Sequence, residues 1–311
     1  MKKMSEPIVF FGSGPVAAES LRLLYEHTSI EAVVTKPRAA HHKGDVPVIA
    51  LAEKLGLPVL TATDKRSLNE LFATQPAKSK LAVLIDFGII ISQQVIDYFP
   101  LGIINSHFSL LPEWRGADPI TFSILSGQQH TGVSLMVLTA GMDEGPLLAQ
   151  APYDITPDID TPHLTSDLIE LSDQLLQAIL PDYYAGHIQP IDQLVGSISE
   201  TTAPTYSRKL SKSDSQLDWT KPAPVLEREI RAFIEWPKSR TVFGKLEVII
   251  TTAEVLDLTG KPGSTAIIHK QPLIYCGEQA LLLQRLKPAG KKEMTGEAFL
   301  AGYKQSFLQG T

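Results

Sequence analysis

Residues 101–117 read Leu101-Gly-Ile-Ile-Asn-Ser-His-Phe-Ser-Leu-Leu-Pro-Glu-Trp-Arg-Gly-Ala117. The apolar run 101–104 is typical of a buried strand. Asn105 and His107 follow it and share one face, because side chains alternate along a strand. A turn rich in Pro and Gly then ends the strand and supplies backbone N–H groups. An amide beside an imidazole can hold an oxyanion, although a strand-end Asn and a structural His would give the same pattern.

Short β-branched runs alternate with amphipathic segments of helical length through the first half of the chain. This alternation predicts an α/β domain with a doubly wound, mostly parallel sheet. The predicted strands are 8–11, 31–35, 58–60, 81–85, 102–104, 133–138 and 147–151, and the predicted helices are 17–25, 48–55, 68–73 and 163–184.

The second half of the chain changes character after a polar segment whose composition suits a linker. Beyond it we predict a helix at 223–233, a terminal helix, and five short strands at 240–243, 246–252, 265–268, 273–275 and 280–286. Such strands suit a small β-barrel of the oligonucleotide-binding (OB) kind. The predicted organisation is therefore an N-terminal Rossmann-like domain at 1–186, a linker at 187–205 and an OB-like domain at 206–311.

Composition is ordinary for a globular protein, with 43% apolar and 20% charged residues among 311. No apolar run is long enough for a transmembrane helix, and the first residues lack the features of a signal peptide, so we expect a cytoplasmic protein. The single cysteine, Cys276, excludes an internal disulfide and a Cys-cluster metal site. Its strand-like surroundings predict a buried, inert thiol.

Charge is unevenly distributed between the two halves of the chain. Residues 201–311 hold 16 Lys and Arg against 11 Asp and Glu, a net charge of +5, whereas the whole chain carries −6. Simple scatter of surface charge is one explanation. The other is a small basic domain that meets phosphate, attached to an acidic catalytic domain.

Gly12-Ser-Gly14, which follows the first predicted strand, could open a dinucleotide site of the form Gly-x-Gly-x-x-Ala. The second strand, however, leads into Lys36 without the carboxylate that a ribose would need. Dinucleotide binding is therefore disfavoured. Binding of a phosphate or a carboxylate at this helix N-terminus is still compatible with the sequence.

Several motifs together resemble the signature of the folate-dependent formyltransferases, and within that superfamily the methionyl-tRNA branch. The resemblance covers nearly the whole chain. In the first half the motifs are Asn105-x-His107, Ser109-Leu-Leu-Pro112, Trp114-Arg-Gly-Ala117, Thr131-Gly-Val-Ser-Leu-Met136 and Gly141-Met-Asp-Glu-Gly145. In the second half they are Tyr206-Ser-Arg-Lys-Leu-Ser-Lys212, Leu217-Asp-Trp219, Ile230-Arg-Ala-Phe233, Trp236-Pro-Lys238 and the stretch 295–302.

The resemblance implies an enzyme that transfers formyl from 10-formyltetrahydrofolate to the amino group of methionine on initiator methionyl-tRNA. By the same resemblance, the catalytic residues are Asn105, His107 and Asp143, with Asp143 preferred to its neighbour Glu144. Acyl transfer of this kind needs oxyanion donors, a proton acceptor and positioning of both substrates. We expect no metal, no membrane association and no obligate protein partner.

The resemblance also implies where the two substrates bind. Arg38, Lys43, Lys209 and Lys212 are the candidate tRNA-binding residues. The folate co-substrate is expected against three segments, with the candidate residues Phe87, Gly88, Ile89, Ser109, Leu110, Leu111, Pro112, Leu138, Thr139, Ala140 and Gly141.

Three departures from the family pattern stand out in this sequence. The segment 36–46, which enters the tRNA acceptor stem in the family, is short and weakly basic here, and its His41-His42 pair lacks a third metal ligand. Asp86 places a carboxylate where the family has Ala. The stretch Leu138-Thr-Ala-Gly141 lacks the usual Asp.

Other functions compatible with these residues are an amino-sugar-nucleotide N-formyltransferase and, less well supported, a formyltetrahydrofolate hydrolase. A non-catalytic RNA-binding protein with the same fold belongs to a different class. The second-half motifs favour the tRNA substrate, and the three intact polar residues argue against a non-catalytic protein.

Overall fold

The computed structural model of the chain describes residues 3–38, 46–199 and 203–311. These residues divide into two compact units. The first unit comprises 3–119, 130–154 and 165–207, and the second comprises 120–129, 155–164 and 208–311. The domain bounds at 186 and 206 stay a prediction.

The first sixteen elements carry the motifs of the predicted active site. They are β1 (Met4–Phe11), α1 (Pro15–His27), β2 (Thr28–Thr35), α2 (Pro47–Lys54), β3 (Val59–Thr61), α3 (Lys65–Thr74), β4 (Ala82–Leu84), α4 (Gln93–Ile96), β5 (Ile103–His107), β6 (Arg115–Gly116), α5 (Pro119–Ser126), β7 (His130–Val137), β8 (Leu147–Asp154), α6 (Thr161–Tyr184), α7 (Gln193–Gly196) and β9 (Tyr206–Ser207).

Seven strands of the first unit form one sheet in the order β3-β2-β1-β4-β5-β7-β8. The five strands from β3 to β5 pair in parallel, whereas β7 and β8 pair antiparallel to their neighbours. The prediction of a mostly parallel α/β sheet is confirmed. The order of the sheet changes direction between β1 and β4, where an open α/β sheet leaves a crevice at the carboxyl ends of its strands.

An aromatic cluster forms part of the core of this sheet. Phe11 is fully buried, and its ring centroid lies 5.8 Å from Phe72, 5.4 Å from Phe87 and 6.0 Å from Phe99. Truncating a buried Phe to Ala typically costs about 3–5 kcal/mol. The cluster therefore anchors β1 and the segment after β4, which lead to the two sides of the crevice.

Gly12 makes the turn from β1 into α1 possible. A Cβ at this position would lie 2.5 Å from the Cβ of Ala17 and 2.9 Å from the carbonyl oxygen of Ile85. The turn therefore packs too closely for any larger residue. This is the tight strand–helix packing that the Gly-x-Gly-x-x-Ala pattern indicates.

The second unit is built around an antiparallel sheet. After a short 3₁₀ helix at Lys212–Ser215, its elements are α8 (Ala223–Ala232), β10 (Arg240–Phe243), β11 (Leu246–Leu256), β12 (Thr265–Ile268), β13 (Gln271–Tyr275), β14 (Ala280–Pro288), β15 (Met294–Thr295) and α9 (Gly296–Leu308). The strand order is β10-β11-β14-β13-β12, with β15 on β14. All five predicted strands are present.

The core of the second unit contains Trp219 and Cys276. The indole Nε1 of Trp219 donates to the hydroxyl of Thr241, which satisfies a buried polar group. Cys276 is buried, and desolvation raises the pKa of its thiol to about 11. The prediction of a buried thiol is confirmed.

Within the described ranges, no helix combines the length and apolar character needed to cross a membrane.

Asp86 brings a carboxylate to the crevice between β1 and β4. Its backbone adopts a left-handed conformation with φ of 47°, and its Oδ2 lies 2.2 Å from where a Cβ on Gly14 would be. Desolvation raises the pKa of Asp86 above its ordinary value; the charge of Lys36 opposes the rise and that of Asp118 adds to it. A carboxylate of this chain therefore lies beside the start of α1.

Asp86→Asn should stabilise the protein at neutral pH. A raised folded-state pKa means that Asp86 favours folding at low pH, and that this contribution is lost as pH rises through the folded pKa. Although desolvation raises the pKa of its carboxyl group, Asp86 as a whole residue is solvent-exposed, and water screens its charge. We therefore expect a gain of about 1 kcal/mol or less at pH 7 and none near pH 3. Urea unfolding at both pH values measures it, with Asp158→Asn as a charge-matched control. A loss of stability at pH 7 would contradict the explanation.

Candidate active site

Strand β5 carries two of the three predicted catalytic side chains. The predicted strand ended at residue 104, but the observed strand continues to His107, so Asn105 and His107 lie within it. Asn105 pairs with Leu84 of β4 on one side and with Met136 of β7 on the other. Asn105 and His107 expose only 7% and 6% of their surfaces, so both side chains are buried and fixed by the pairing of the strand.

Asp143 reaches the same place from the loop after β7. Its backbone has a left-handed φ of 49°, and its carboxylate accepts hydrogen bonds from Asn105 Nδ2 at 3.2 Å and from the backbone N–H of Gly116 at 2.8 Å. His107 Nδ1 lies 3.8 Å from its Oδ2. The three side chains therefore converge on one point, and the N–H of Gly116 joins them.

The hydrogen bonds of His107 fix which of its ring nitrogens faces the carboxylate. Nε2 lies 2.9 Å from the carbonyl oxygen of Trp114. A carbonyl oxygen only accepts, so Nε2 carries a hydrogen and donates it. Nδ1 is then the nitrogen directed at Asp143 and available for exchange of a proton. Trp114 itself adopts a left-handed φ of 52°, which turns its carbonyl group toward the imidazole.

The Ser109–Pro112 segment, a predicted folate contact, is buried and held by hydrogen bonds of its own. The Ser134 hydroxyl donates to the Ser109 carbonyl at 2.6 Å and accepts from the Leu111 N–H at 2.9 Å. Gln150 Nε2 donates to the Leu111 carbonyl and to Ser134. Leu110, Leu111 and Pro112 contribute buried side chains. These hydrogen bonds and this burial fix the conformation of the segment.

The other two predicted folate segments expose more of their surface. Phe87 belongs to the buried aromatic cluster, but Gly88 and Ala140 are exposed and Ile89, Leu138 and Gly141 are partly exposed. Thr139 Oγ1 is buried and has no hydrogen-bond partner among the described residues. A buried hydroxyl without a partner is rare in folded proteins, and a polar ligand edge would satisfy it.

Gln193 is a member of this site that the sequence reasoning missed. The residue is 3% exposed, and its Nε2 donates to the carbonyl oxygens of Asp143 and Gly145. Its Oε1 accepts from the guanidinium of Arg115. Gln193 lies in the polar segment 187–205, and no periodicity or motif there distinguishes a buried Gln from a solvated one.

Three of the four predicted tRNA-binding residues fall within the described part of the chain. Arg38 in the first unit and Lys209 and Lys212 in the second are exposed. Lys43 lies outside the described residues, as does the His41-His42 pair. In the second unit, Asp214 pairs with Arg208 and caps the 3₁₀ helix through Ser211. These contacts hold residues 208–215, which include Lys209 and Lys212, in a defined conformation.

Two family profiles match the sequence. One, described as formyl transferase, matches residues 8–180, and the other, described as formyl transferase, C-terminal domain, matches residues 209–304. The methionyl-tRNA formyltransferase of Myxococcus xanthus is 35% identical over 307 residues, which cover 97% of this chain and 96% of the relative. The methionyl-tRNA formyltransferase of Pseudomonas syringae pv. syringae is 37% identical over an alignment of 320 positions, which covers 99% of this chain and 99% of the relative.

Solved structures of formyltransferases share the fold of this chain. The N-formyltransferase of Helicobacter canadensis, solved with folinic acid and dTDP-3-aminofucose, superposes with a TM-score of 0.66 at 15% identity. The match covers 90% of this chain and 99% of that one. The family predicted from the motifs is therefore confirmed: the chain belongs to the formyl transferase family, in the group that includes the methionyl-tRNA formyltransferases.

Proposed function

We propose that this protein transfers the formyl group of 10-formyltetrahydrofolate to the α-amino group of methionine on initiator methionyl-tRNA. The observation that carries the proposal is the meeting of Asn105, His107 and Asp143 at one point of the first unit. An amide donor, an imidazole and a carboxylate can supply the oxyanion donors and the proton acceptor that acyl transfer to an amine needs. Full-length similarity to methionyl-tRNA formyltransferases supports the choice of acceptor.

In the proposed reaction the amine attacks the formyl carbon, and a tetrahedral oxyanion forms. Asn105 Nδ2 donates to that oxygen. His107 donates to it through a proton carried on Nδ1, because the Nε2 hydrogen is already bound to the Trp114 carbonyl. Asp143 takes the proton that the attacking nitrogen loses. The oxyanion then re-forms a carbonyl as the bond between the formyl carbon and N10 of the folate breaks, and N10 takes up the proton that Asp143 accepted. An oxyanion donor of this kind contributes about 3–4 kcal/mol to transition-state stabilisation.

Two of the three predicted folate segments, 87–89 and 138–141, contain exposed or partly exposed residues that a ligand could reach. Thr139 Oγ1 needs a hydrogen-bond partner, and a pterin ring offers donors and acceptors along one edge. We propose that 138–141 and Gly88–Ile89 contact the ring. The contact of Ser109, Leu110, Leu111 and Pro112 with the folate stays a prediction, and these four residues are buried.

The second unit is proposed to be an OB-like, tRNA-binding domain. Its antiparallel sheet and its excess of positive charge support that role, because non-specific affinity for nucleic acid comes largely from cations that meet phosphates. Lys209 and Lys212 are the candidate contacts. Arg38, in the first unit, is the candidate in the described part of the chain for the acceptor-stem segment. We propose a cytoplasmic location for the enzyme, where a charged initiator tRNA would be its substrate.

Formylation assays with two acceptors separate this function from its nearest rival. Purified protein and 10-formyltetrahydrofolate are incubated with methionyl initiator tRNA or with a dTDP-amino sugar, and formylated product is measured. We expect turnover on the tRNA and none on the sugar. Turnover of the sugar alone would overturn the proposal, and release of free formate without an acceptor would indicate a hydrolase.

Asp143→Asn should reduce kcat by about 10²–10⁴-fold, the contribution usual for a positioned acid–base group. The amide still accepts the Gly116 N–H, so the melting temperature should change little. Glu144→Gln is the matched control, because Glu144 is the adjacent, exposed carboxylate. Near-normal turnover of the Asp143 variant would remove this residue from the mechanism.

Reversing Lys209 and Lys212 to Glu should weaken tRNA binding and reduce its dependence on salt. Each lost phosphate contact lowers the slope of log K against log salt by about one unit. Filter binding from 50 to 300 mM KCl measures this slope. Lys291→Glu with Lys292→Glu makes the same change of charge at another exposed pair. Equal losses for the two double variants would mean that net charge, rather than a specific contact, determines binding.

A further inference from the structure

Helix α7 presents two contrasting surfaces within four residues. Leu194 and Val195 expose 71% and 81% of their surfaces, whereas Gln193 is 3% exposed. A polar side chain is rarely buried while its apolar neighbours face solvent, because burial removes it from water and needs compensation. Something specific therefore holds Gln193 inside the first unit.

Hydrogen bonds of the Gln193 amide supply that compensation. Both N–H groups of Nε2 are used, with the carbonyl oxygens of Asp143 and Gly145 each at 2.8 Å. The Oε1 atom accepts from Arg115 Nη2 at 2.7 Å. The amide thus satisfies its donors and its acceptor at once, which is the condition for a buried polar group to add rigidity.

These partners belong to the two segments that build the carboxylate site. Asp143 and Gly145 lie in the loop after β7, and the left-handed φ of Asp143 comes directly before the first of the two bonded carbonyl groups. Arg115 directly precedes Gly116, whose N–H binds the Asp143 carboxylate. Gln193 therefore ties the loop that carries the carboxylate to the segment that carries its backbone donor.

We propose that Gln193 is a positioning residue that sets the place of the Asp143 carboxylate, so that the segment predicted as a linker is part of the active site. This inference rests on the proposed role of Asp143. Gln193 itself contacts no reacting atom in this proposal. Its effect comes through the backbone of residues 143–145 and through Arg115.

Replacing Gln193 by Leu keeps the size of the side chain and removes its donors and acceptor. Two carbonyl groups and one guanidinium N–H then lose their partner in a buried place, and the loop is free to shift. A displacement of about 1 Å in a catalytic group can cost on the order of 10²-fold in rate. We expect kcat to fall by that order, with KM for methionyl-tRNA within about threefold of wild type.

The matched control is Gln189→Leu, since Gln189 is exposed and makes one weak bond, to the Gly186 carbonyl at 3.4 Å. Gln193→Glu provides a second variant, because it keeps an acceptor for Arg115 but lacks both N–H donors. We expect the control to retain wild-type kcat and the Glu variant to lose as much as the Leu variant. Full activity in the Glu variant would contradict the importance of the two carbonyl bonds.

A double-mutant cycle separates positioning from a general loss of structure. If Gln193 acts through Asp143, adding Gln193→Leu to Asp143→Asn should lower kcat by less than about twofold further. If the two residues act independently, the two losses multiply, and the proposal is overturned.

Hydrogen exchange tests the same idea without any assay of activity. The Gly116 amide, which binds the Asp143 carboxylate, should exchange at least about tenfold faster in Gln193→Leu than in wild type or Gln189→Leu. Unchanged exchange would overturn the positioning role even if wild type formylates tRNA. Faster exchange in a protein that formylates no acceptor would support the positioning of Asp143 and reject the proposed function instead.

Discussion

The position of the Asp143 carboxylate is the constraint on which the proposed chemistry of the first unit depends. It accepts from Asn105 on the central strand β5 and from the N–H of Gly116, and it faces Nδ1 of His107. The sheet supplies the amide and the imidazole, while two separate loops supply the carboxylate and the backbone donor. Because the partners are distant in sequence, the site exists only when the sheet and both loops are correctly folded.

Much of this arrangement could be predicted from the sequence. Apolar runs located the strands because a parallel sheet is buried on both faces. The alternation of side chains placed Asn105 and His107 on one face, and the glycines around Asp143 marked a loop of unusual backbone. The end of β5 was placed too early, since polar residues interrupt the apolar run while the ladder of backbone hydrogen bonds continues to His107.

Three other features of the fold and the site have no local signal in the sequence. The antiparallel direction of β7 and β8 depends on chain connections, because an apolar strand pattern is the same in either direction. The two-residue strands β6 and β9 are defined by pairing with each other. Gln193 was treated as part of a linker because its burial depends on two carbonyl groups about fifty residues earlier, which sequence alone does not bring together.

A crystal structure with a stable analogue of 10-formyltetrahydrofolate bound would be the most direct test of the proposed mechanism. The mechanism predicts that the formyl oxygen lies within hydrogen-bond distance, about 3 Å, of Asn105 Nδ2 and of the His107 ring, with the formyl carbon beside the Asp143 carboxylate. It would be contradicted if the formyl carbon lay farther from all three groups than one bridging water can span, or if the folate bound in another part of the protein.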